Sequence, residues 1–221
     1  MIDSEIIKNK YLNSLNVSRE TLIDLKEYSS SIISKNKEIN LISSSTEKSI
    51  NSRHIEDSAQ TIDFIDNINV NTCTDLGSGA GLPGIVLAIM MKHKNPSFKV
   101  IFYEKSAHKS NFLKEMSKKF HLNTEIHQKN IFEEKNLVTD VIIARAFKPL
   151  PIILEIAIKN FSKFKYIILF LGKNGKKTLK DSLKNWKFDY EERESLTNKE
   201  SLVIKISNLQ KKKWIIKLYQ S

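Results

Sequence analysis

Apolar side chains recur along this chain with two periods, and the change from one to the other divides it. Over residues 3–15, Ile6, Ile7, Tyr11, Leu12 and Leu15 fall at helical spacing. A second helix is predicted from Ser18, an N-cap residue type with Glu20 in the first turn, and its stripe is Leu22, Ile23, Leu25, Tyr28, Ile32 and Ile33. A third is predicted from residue 46 to about 62 or 65. From residue 73 onward, short apolar runs alternate with helical patterns. Strands are predicted at 73–76, 99–104, 123–127, 138–144 and 166–171, with helices at 82–91, 107–121, 150–160 and 178–186 between them. Two last strands, 190–196 and 201–206, are joined through 197–200. The run at 138–144 is apolar almost throughout, as in a parallel strand covered on both faces. Together these elements predict an α/β fold. The expected division is an N-terminal helical cap over residues 1–68, a core over 69–208 and a basic tail over 209–221, within one compact domain.

Length and composition narrow this. At 221 residues there is room for one α/β domain and an extension. No stretch of eighteen uncharged apolar residues occurs and the first residues are polar and acidic, which predicts neither a membrane span nor a secretory signal and points to the cytoplasm. The single cysteine, Cys73, has no partner for an internal disulfide and falls in a predicted buried strand, where packing is its expected role. The net charge of +11 is unevenly spread: residues 159–221 carry 16 Lys or Arg against 6 Asp or Glu, whereas residues 1–70 carry 8 against 11. A polyanion, most simply a nucleic acid, is the partner this asymmetry suggests. A general Lys, Asn and Ile bias in composition is the alternative.

Candidate chemistry concentrates in Thr74-Asp75-Leu76-Gly77-Ser78-Gly79-Ala80-Gly81-Leu82-Pro83-Gly84, which holds four of the six glycines. A strand that turns sharply through glycines into a helix lets a ligand lie against bare main chain. As a dinucleotide fingerprint, Gly79 to Gly84 is a weak match. Asp75 lies at the strand end ahead of alternating glycines, which suits a ligand carrying positive charge, and the pattern resembles motif I of the S-adenosylmethionine (SAM) methyltransferases. Glu104 ends the next strand about 23 residues beyond the last glycine of the turn, where nucleotide-binding folds place the acid that takes the ribose diol.

Arginine is used only four times against 32 lysines. Arg53 and Arg145 therefore hint at a need for the planar guanidinium fork, although Arg53 and Asp57 are also spaced for an ordinary i,i+4 pair. His54 reads either as a structural histidine or as a substrate ligand. The basic turn Gly172-Lys173-Asn174-Gly175-Lys176-Lys177 has the wrong spacing for a phosphate-binding loop. Lys211-Lys212-Lys213-Trp214 combines phosphate-pairing and base-stacking residue types, or is a tail kept soluble by lysines.

Asn40-Leu41, Arg53-His54-Ile55 with Asp57-Ser58, the glycine segment 75–84 and Arg145-Ala146-Phe147 run in one order across residues 5–206. In this combination the chain resembles the bacterial 16S ribosomal RNA guanine-N7 methyltransferases of the small subunit, the glucose-inhibited division protein B family. The resemblance implies a Rossmann-like class I SAM-dependent methyltransferase with a seven-stranded, mostly parallel sheet and helices on both faces. It implies SAM as cofactor, with Asp75, Gly77, Gly79, Leu82, Glu104, Asn130, Ile131 and Arg145 around it. Arg145 is the implied residue at the transfer site, and Arg53, His54, Asp57 and Lys173 the implied substrate residues. The implied partner is 16S rRNA or the small ribosomal subunit, with no metal, no membrane and a monomeric enzyme. Two departures stand out: the family's usual Val-Glu at the adenine loop is Asn130-Ile131 here, so those contacts fall to the main chain, and its Leu-Lys-Gly after the fifth strand is Leu171-Gly172-Lys173. A non-catalytic RNA- or ribosome-binding module of the same fold, or a methyltransferase for small molecules, is the alternative function.

Overall fold

The structure, a computed structural model, describes residues 10–15, 17–65 and 69–212. Lys213 and Trp214 of the basic cluster lie outside these residues. In chain order the helices are α1 (Lys10–Ser14), α2 (Arg19–Asn36), α3 (Asp57–Ala59), α4 (Gly84–Lys94), α5 (Ala107–Lys119), α6 (Leu150–Asn160) and α7 (Gly175–Ser182). The strands are β1 (Thr72–Leu76), β2 (Lys99–Tyr103), β3 (Thr124–His127), β4 (Leu137–Val138), β5 (Val141–Arg145), β6 (Phe161–Lys163), β7 (Tyr166–Leu171), β8 (Trp186–Ser195) and β9 (Asn198–Lys211). Seven of them form one sheet in the order β3-β2-β1-β5-β7-β9-β8, and β4 pairs with β6 in a small separate ribbon. Pairing is parallel from β3 to β7, and β9 joins β7 antiparallel as the inner arm of a terminal hairpin. The seven-stranded, mostly parallel sheet expected from the sequence is present.

The alternation within β5 shows why the sheet needs cover on both sides. Val141 and Ile143 join one apolar cluster with α2, α4 and α5, whereas Ile142 and Ala144 join the other with α6 and α7. Helix α4 is buried at every position from Gly84 to Met91. An all-round apolar helix needs neighbours on all sides, and α4 has them because α2 and the cap close over its far side. Edge strand β8 is charged and exposed over Glu191 to Glu194, which keeps the hairpin from pairing with another sheet.

Several boundaries differ from the expectation. The strand expected at 138–144 is divided: Val138, 61% exposed, ends β4 in the small ribbon, and β5 (Val141–Arg145) alone enters the main sheet. The third helix is not continuous: Ser44–Ser49 is a 3-10 turn, Asn51–Glu56 a π turn, α3 lasts one turn and Gln60–Phe64 is 3-10 again. Hydroxyls compete for its carbonyls, Ser49 donating to Thr46 O, Ser52 to Ser49 O and Thr61 to Ser58 O. Helix α7 starts at Gly175 rather than 178 and ends at Ser182. Its start is hidden because Lys176 and Lys177 oppose the helix dipole in the first turn, and Trp186 belongs to β8, buried in the core. The hairpin arms are longer than expected and meet across Leu196-Thr197. β9 also runs on to Lys211, three residues beyond the boundary expected at 208.

Candidate active site

At the carboxyl ends of β1, β2 and β5 the chain makes the turn anticipated from its glycines. Gly77 and Gly79 have φ of +64° and +56°, in the left-handed region. The Gly77 and Ser78 amides donate to Tyr103 O at 2.9 and 3.3 Å, which fixes the turn onto β2. A Cβ on Gly77 would come within 2.0 Å of the Phe147 ring, whereas one on Gly79 would meet nothing nearer than 3.9 Å. Tyr28 of α2, fully buried, donates its hydroxyl to Ala80 O at 2.6 Å and ties the cap to the turn.

Two chambers flank this turn and share Gly77, Glu104 and Lys109. One, of about 340 Å³, is lined by the glycine turn with Leu82, by Leu41 to Ser43 and His54 of the cap, and by Arg145 and Ala146. The other, of about 370 Å³, is lined by Tyr103, Asn130, Ile131, Phe132 and Phe147, with lysines at its mouth. A third cavity of about 440 Å³ adjoins them along the ends of β5 and β7, from Ala146 to Leu150 and from Phe170 to Gly175. Glu104 is 8% exposed; its Oε2 accepts from Gly79 N at 2.9 Å and its Oε1 from Ser106 N at 2.8 Å. One acceptor lone pair remains on each oxygen, which is what a vicinal diol requires. Bare main chain on one side, this carboxylate and an apolar wall at Ile131 therefore fit an adenosyl ligand.

The remaining anticipated residues fall into distinct places. Asp75 lines neither chamber: it is buried behind the turn, its Oδ2 accepts from Gly84 N at 2.9 Å, and its Oδ1 has no partner. Burial pushes its carboxyl up to about 7, with only the Gly84 amide opposing, so the electrostatic role anticipated for it toward a cationic ligand is replaced by support of the α4 N-terminus. Asn130 caps the short turn Ile131–Glu133, accepting from Phe132 N at 3.4 Å and donating to Glu133 Oε1 at 2.7 Å. That turn is held from α6 by Asn160, which donates to Ile131 O and Glu134 O at 2.7 and 2.6 Å.

Arg145 uses the fork anticipated for it, but toward the cap. Its Nη2 lies 2.9 Å from Asp57 Oδ2 and donates to Arg53 O at 2.5 Å, while Nη1 reaches Ser58 Oγ at 3.1 Å and His54 O at 3.3 Å. Among the described residues only its Nε–H is left without a hydrogen bond, and its face covers the Phe170 ring at 5.5 Å. Asp57, 7% exposed, also accepts from Ser195 Oγ at 2.5 Å, Gln60 Nε2 at 2.9 Å and Thr197 Oγ1 at 3.2 Å, and Gln60 accepts from Leu196 N. Cap, β5 and the β8–β9 turn are thus latched at one carboxylate. Arg53 does not pair with Asp57; its side chain is exposed. His54 lines the first chamber with Nε2 2.9 Å from Thr46 Oγ1, and burial, then Arg145, pushes it down to about 4, so it is neutral at pH 7. Lys173 stands exposed on the third cavity, 3.2 Å from Glu200.

Sequence reasoning missed Tyr28, Lys109 and Asn160. Tyr28 was visible only as one member of an apolar stripe, and nothing in the local sequence separates Lys109 from the other lysines of α5. Nothing in the local sequence marks Asn160.

Residues 21–205 match the family model described as rRNA small subunit methyltransferase G. A curated relative, ribosomal RNA small subunit methyltransferase G of Pelagibacter ubique (strain HTCC1062), is 49% identical over 211 residues, covering 94% of this chain and 99% of the relative. Among solved structures the fold is similar to that of the 16S rRNA methylase RmtB, with a TM-score of 0.52 at 12% identity over 86% of this chain and 75% of that one. It is also similar to M. capricolum TrmK, solved with S-adenosylhomocysteine, with a TM-score of 0.51 at 19% identity over 68% of this chain and 66% of the other.

Proposed function

We propose, for a chain that belongs to the rRNA small subunit methyltransferase G family, that it transfers a methyl group from SAM to N7 of a guanine in 16S ribosomal RNA. The observation that carries this reading is the convergence of the glycine turn, Glu104 and the Asn130-Ile131 turn on two adjoining chambers at the carboxyl edge of the sheet. Ligands of open α/β sheets bind at that edge.

In this reading Gly77, Gly79 and Leu82 hold the methionine part, Glu104 takes the ribose hydroxyls and the main chain at Asn130 and Ile131 faces the adenine. When bound, SAM supplies a methyl group made electrophilic by its sulfonium and retains the electron pair of its carbon–sulfur bond, leaving as the neutral thioether. The guanine N7 lone pair lies in the plane of the ring and carries no proton. No general base is needed, which fits a neutral His54 already committed to Thr46. The rate then comes mainly from alignment. Arg145 holds the wall where the base arrives by binding Arg53 O, His54 O and Asp57 while its guanidinium lies over the Phe170 ring. Arg53 and Lys173, exposed on either flank, are assigned to the RNA backbone, and His54 and Asp57 to the shape of the site.

In this reading the enzyme acts as a monomer, and the proposed substrate places the activity in the cytoplasm. The test is incubation with isotopically labelled SAM and either naked 16S rRNA or small subunits lacking the modification. Label recovered as 7-methylguanosine is the expected result; RNA that stays unlabelled in both forms overturns the proposal.

A further inference from the structure

The mouth of the adenosine-side chamber carries more positive charge than its proposed ligand explains. Lys105, Lys109, Lys129 and Lys148 all border it. SAM has two cationic centres and a single carboxylate, and Lys109, which borders both chambers, suffices for that one anion. Lys129 is neutralised by Glu134 at 3.2 Å. Lys105 and Lys148 are exposed and, among the described residues, make no ion pair. In the C-terminal part Lys165, Lys184, Lys205, Arg193 and Lys211 each face a carboxylate, and other lysines there, such as Lys176 and Lys177 of α7, are not among the residues that border this chamber.

Beside these two free cations stands Phe132, 48% exposed, on the rim between the chamber and the outer face of α6. Lys148 Nζ lies 6.0 Å from its ring centroid, and the Phe147 ring, which crosses Gly77, lies 6.3 Å away, tilted by 39°. Lys148 and Phe147 also border the third cavity, so the same residues link the cofactor side to the ends of β5 and β7. An exposed aromatic face next to unpaired ammonium groups is the arrangement that takes single-stranded nucleic acid, one base stacked and neighbouring phosphates paired.

Resting on the methyltransferase reading, we propose that Phe132, Lys105 and Lys148 form a stacking and phosphate-pairing step for the rRNA strand that flanks the target guanine, so that the RNA crosses the mouth of the adenosine-side chamber. The partner is unpaired RNA, since a base must be free to stack.

The test measures RNA binding as a function of salt for the wild type, the Lys105→Gln/Lys148→Gln double variant and Phe132→Ala, together with their SAM affinities. Two lost phosphate contacts lower the slope of log affinity against log salt by about 1.4, from ~0.7 per phosphate on single strands. Phe132→Ala is expected to weaken RNA binding by about fivefold or more while leaving the salt slope in place. SAM affinity is expected to stay within about twofold in the Lys105→Gln/Lys148→Gln variant, whose ammonium groups stand at the mouth of the chamber. A wild-type salt slope in the double variant, or loss of SAM affinity with RNA binding intact, overturns the inference and returns these lysines to the cofactor. If the wild type methylates rRNA while the variants match it, only this inference fails; if the wild type neither binds nor methylates rRNA, the methyltransferase reading fails with it.

Discussion

Gly77 and Gly79 share a backbone conformation but differ in what surrounds them, and this makes them a controlled pair. Alanine at Gly79 faces open space and bears only the left-handed strain, about 1–2 kcal/mol. Alanine at Gly77 bears the same strain and must also displace Phe147. Gly77→Ala is therefore expected to lose both SAM affinity and thermal stability, measured by calorimetry and melting, with Gly79→Ala clearly milder in both. Two titrating residues make a second prediction. His54, held near 4 when folded, takes a proton at about 6.5 when unfolded, so the unfolded state binds more protons between those values and stability is lost as pH falls through that window. Asp75 runs the other way: its folded carboxyl keeps a proton up to about 7 that the unfolded chain gives up near 3.8, so its contribution is full at low pH and is lost as pH rises toward 7. Urea unfolding from pH 4 to 7.5 should show His54→Gln steadier toward acid and Asp75→Asn steadier toward neutrality, the Asn still accepting from Gly84 N. At this scale the sequence revealed Gly77 and Glu104 through spacing. It did not reveal the task of Asp75, because whether an acid at a strand end faces a ligand or the protein depends on packing.

Among the elements, the broken third helix is the informative one. Its Arg53 and His54 carbonyls bend out to Arg145, and its Asp57 joins β5 to the β8–β9 turn. Removing Asp57 leaves Arg145 buried beside no counter-charge, so Asp57→Ala is expected to cost about 3 kcal/mol, against about 1 kcal/mol for Ser195→Ala, which removes one hydroxyl bond. Denaturant unfolding checks both, and similar costs for the two would mean that Asp57 is not the hub. The spacing of Arg53 and Asp57 suggested an i,i+4 pair. The true partner of Asp57 lies 88 positions away, and local spacing carries no trace of such a contact. The start of helix α2 was legible to within a residue because Ser18 caps it, accepting from Thr21 N at 3.2 Å.

Over the whole molecule, the alternation of strand and helix periods gave the seven-stranded sheet and the terminal hairpin, since each element had to cover one face of the next. The charge pattern was legible only in part. The C-terminal excess over residues 159–221 is real, yet many of its cations face carboxylates, and the unpaired ones bordering the site include Lys105 and Lys148 from earlier in the chain. RNA affinity is accordingly expected to fall more on neutralising Lys105 and Lys148 than on neutralising Lys205 and Lys211, measured in the same titration. The most direct measurement is a crystal structure with S-adenosylhomocysteine. Density spanning the two chambers around Gly77, with the ribose hydroxyls on Glu104 and the adenine beside Ile131, is the predicted result. Chambers that stay empty at saturating ligand, or a ligand seated elsewhere on the chain, would contradict it.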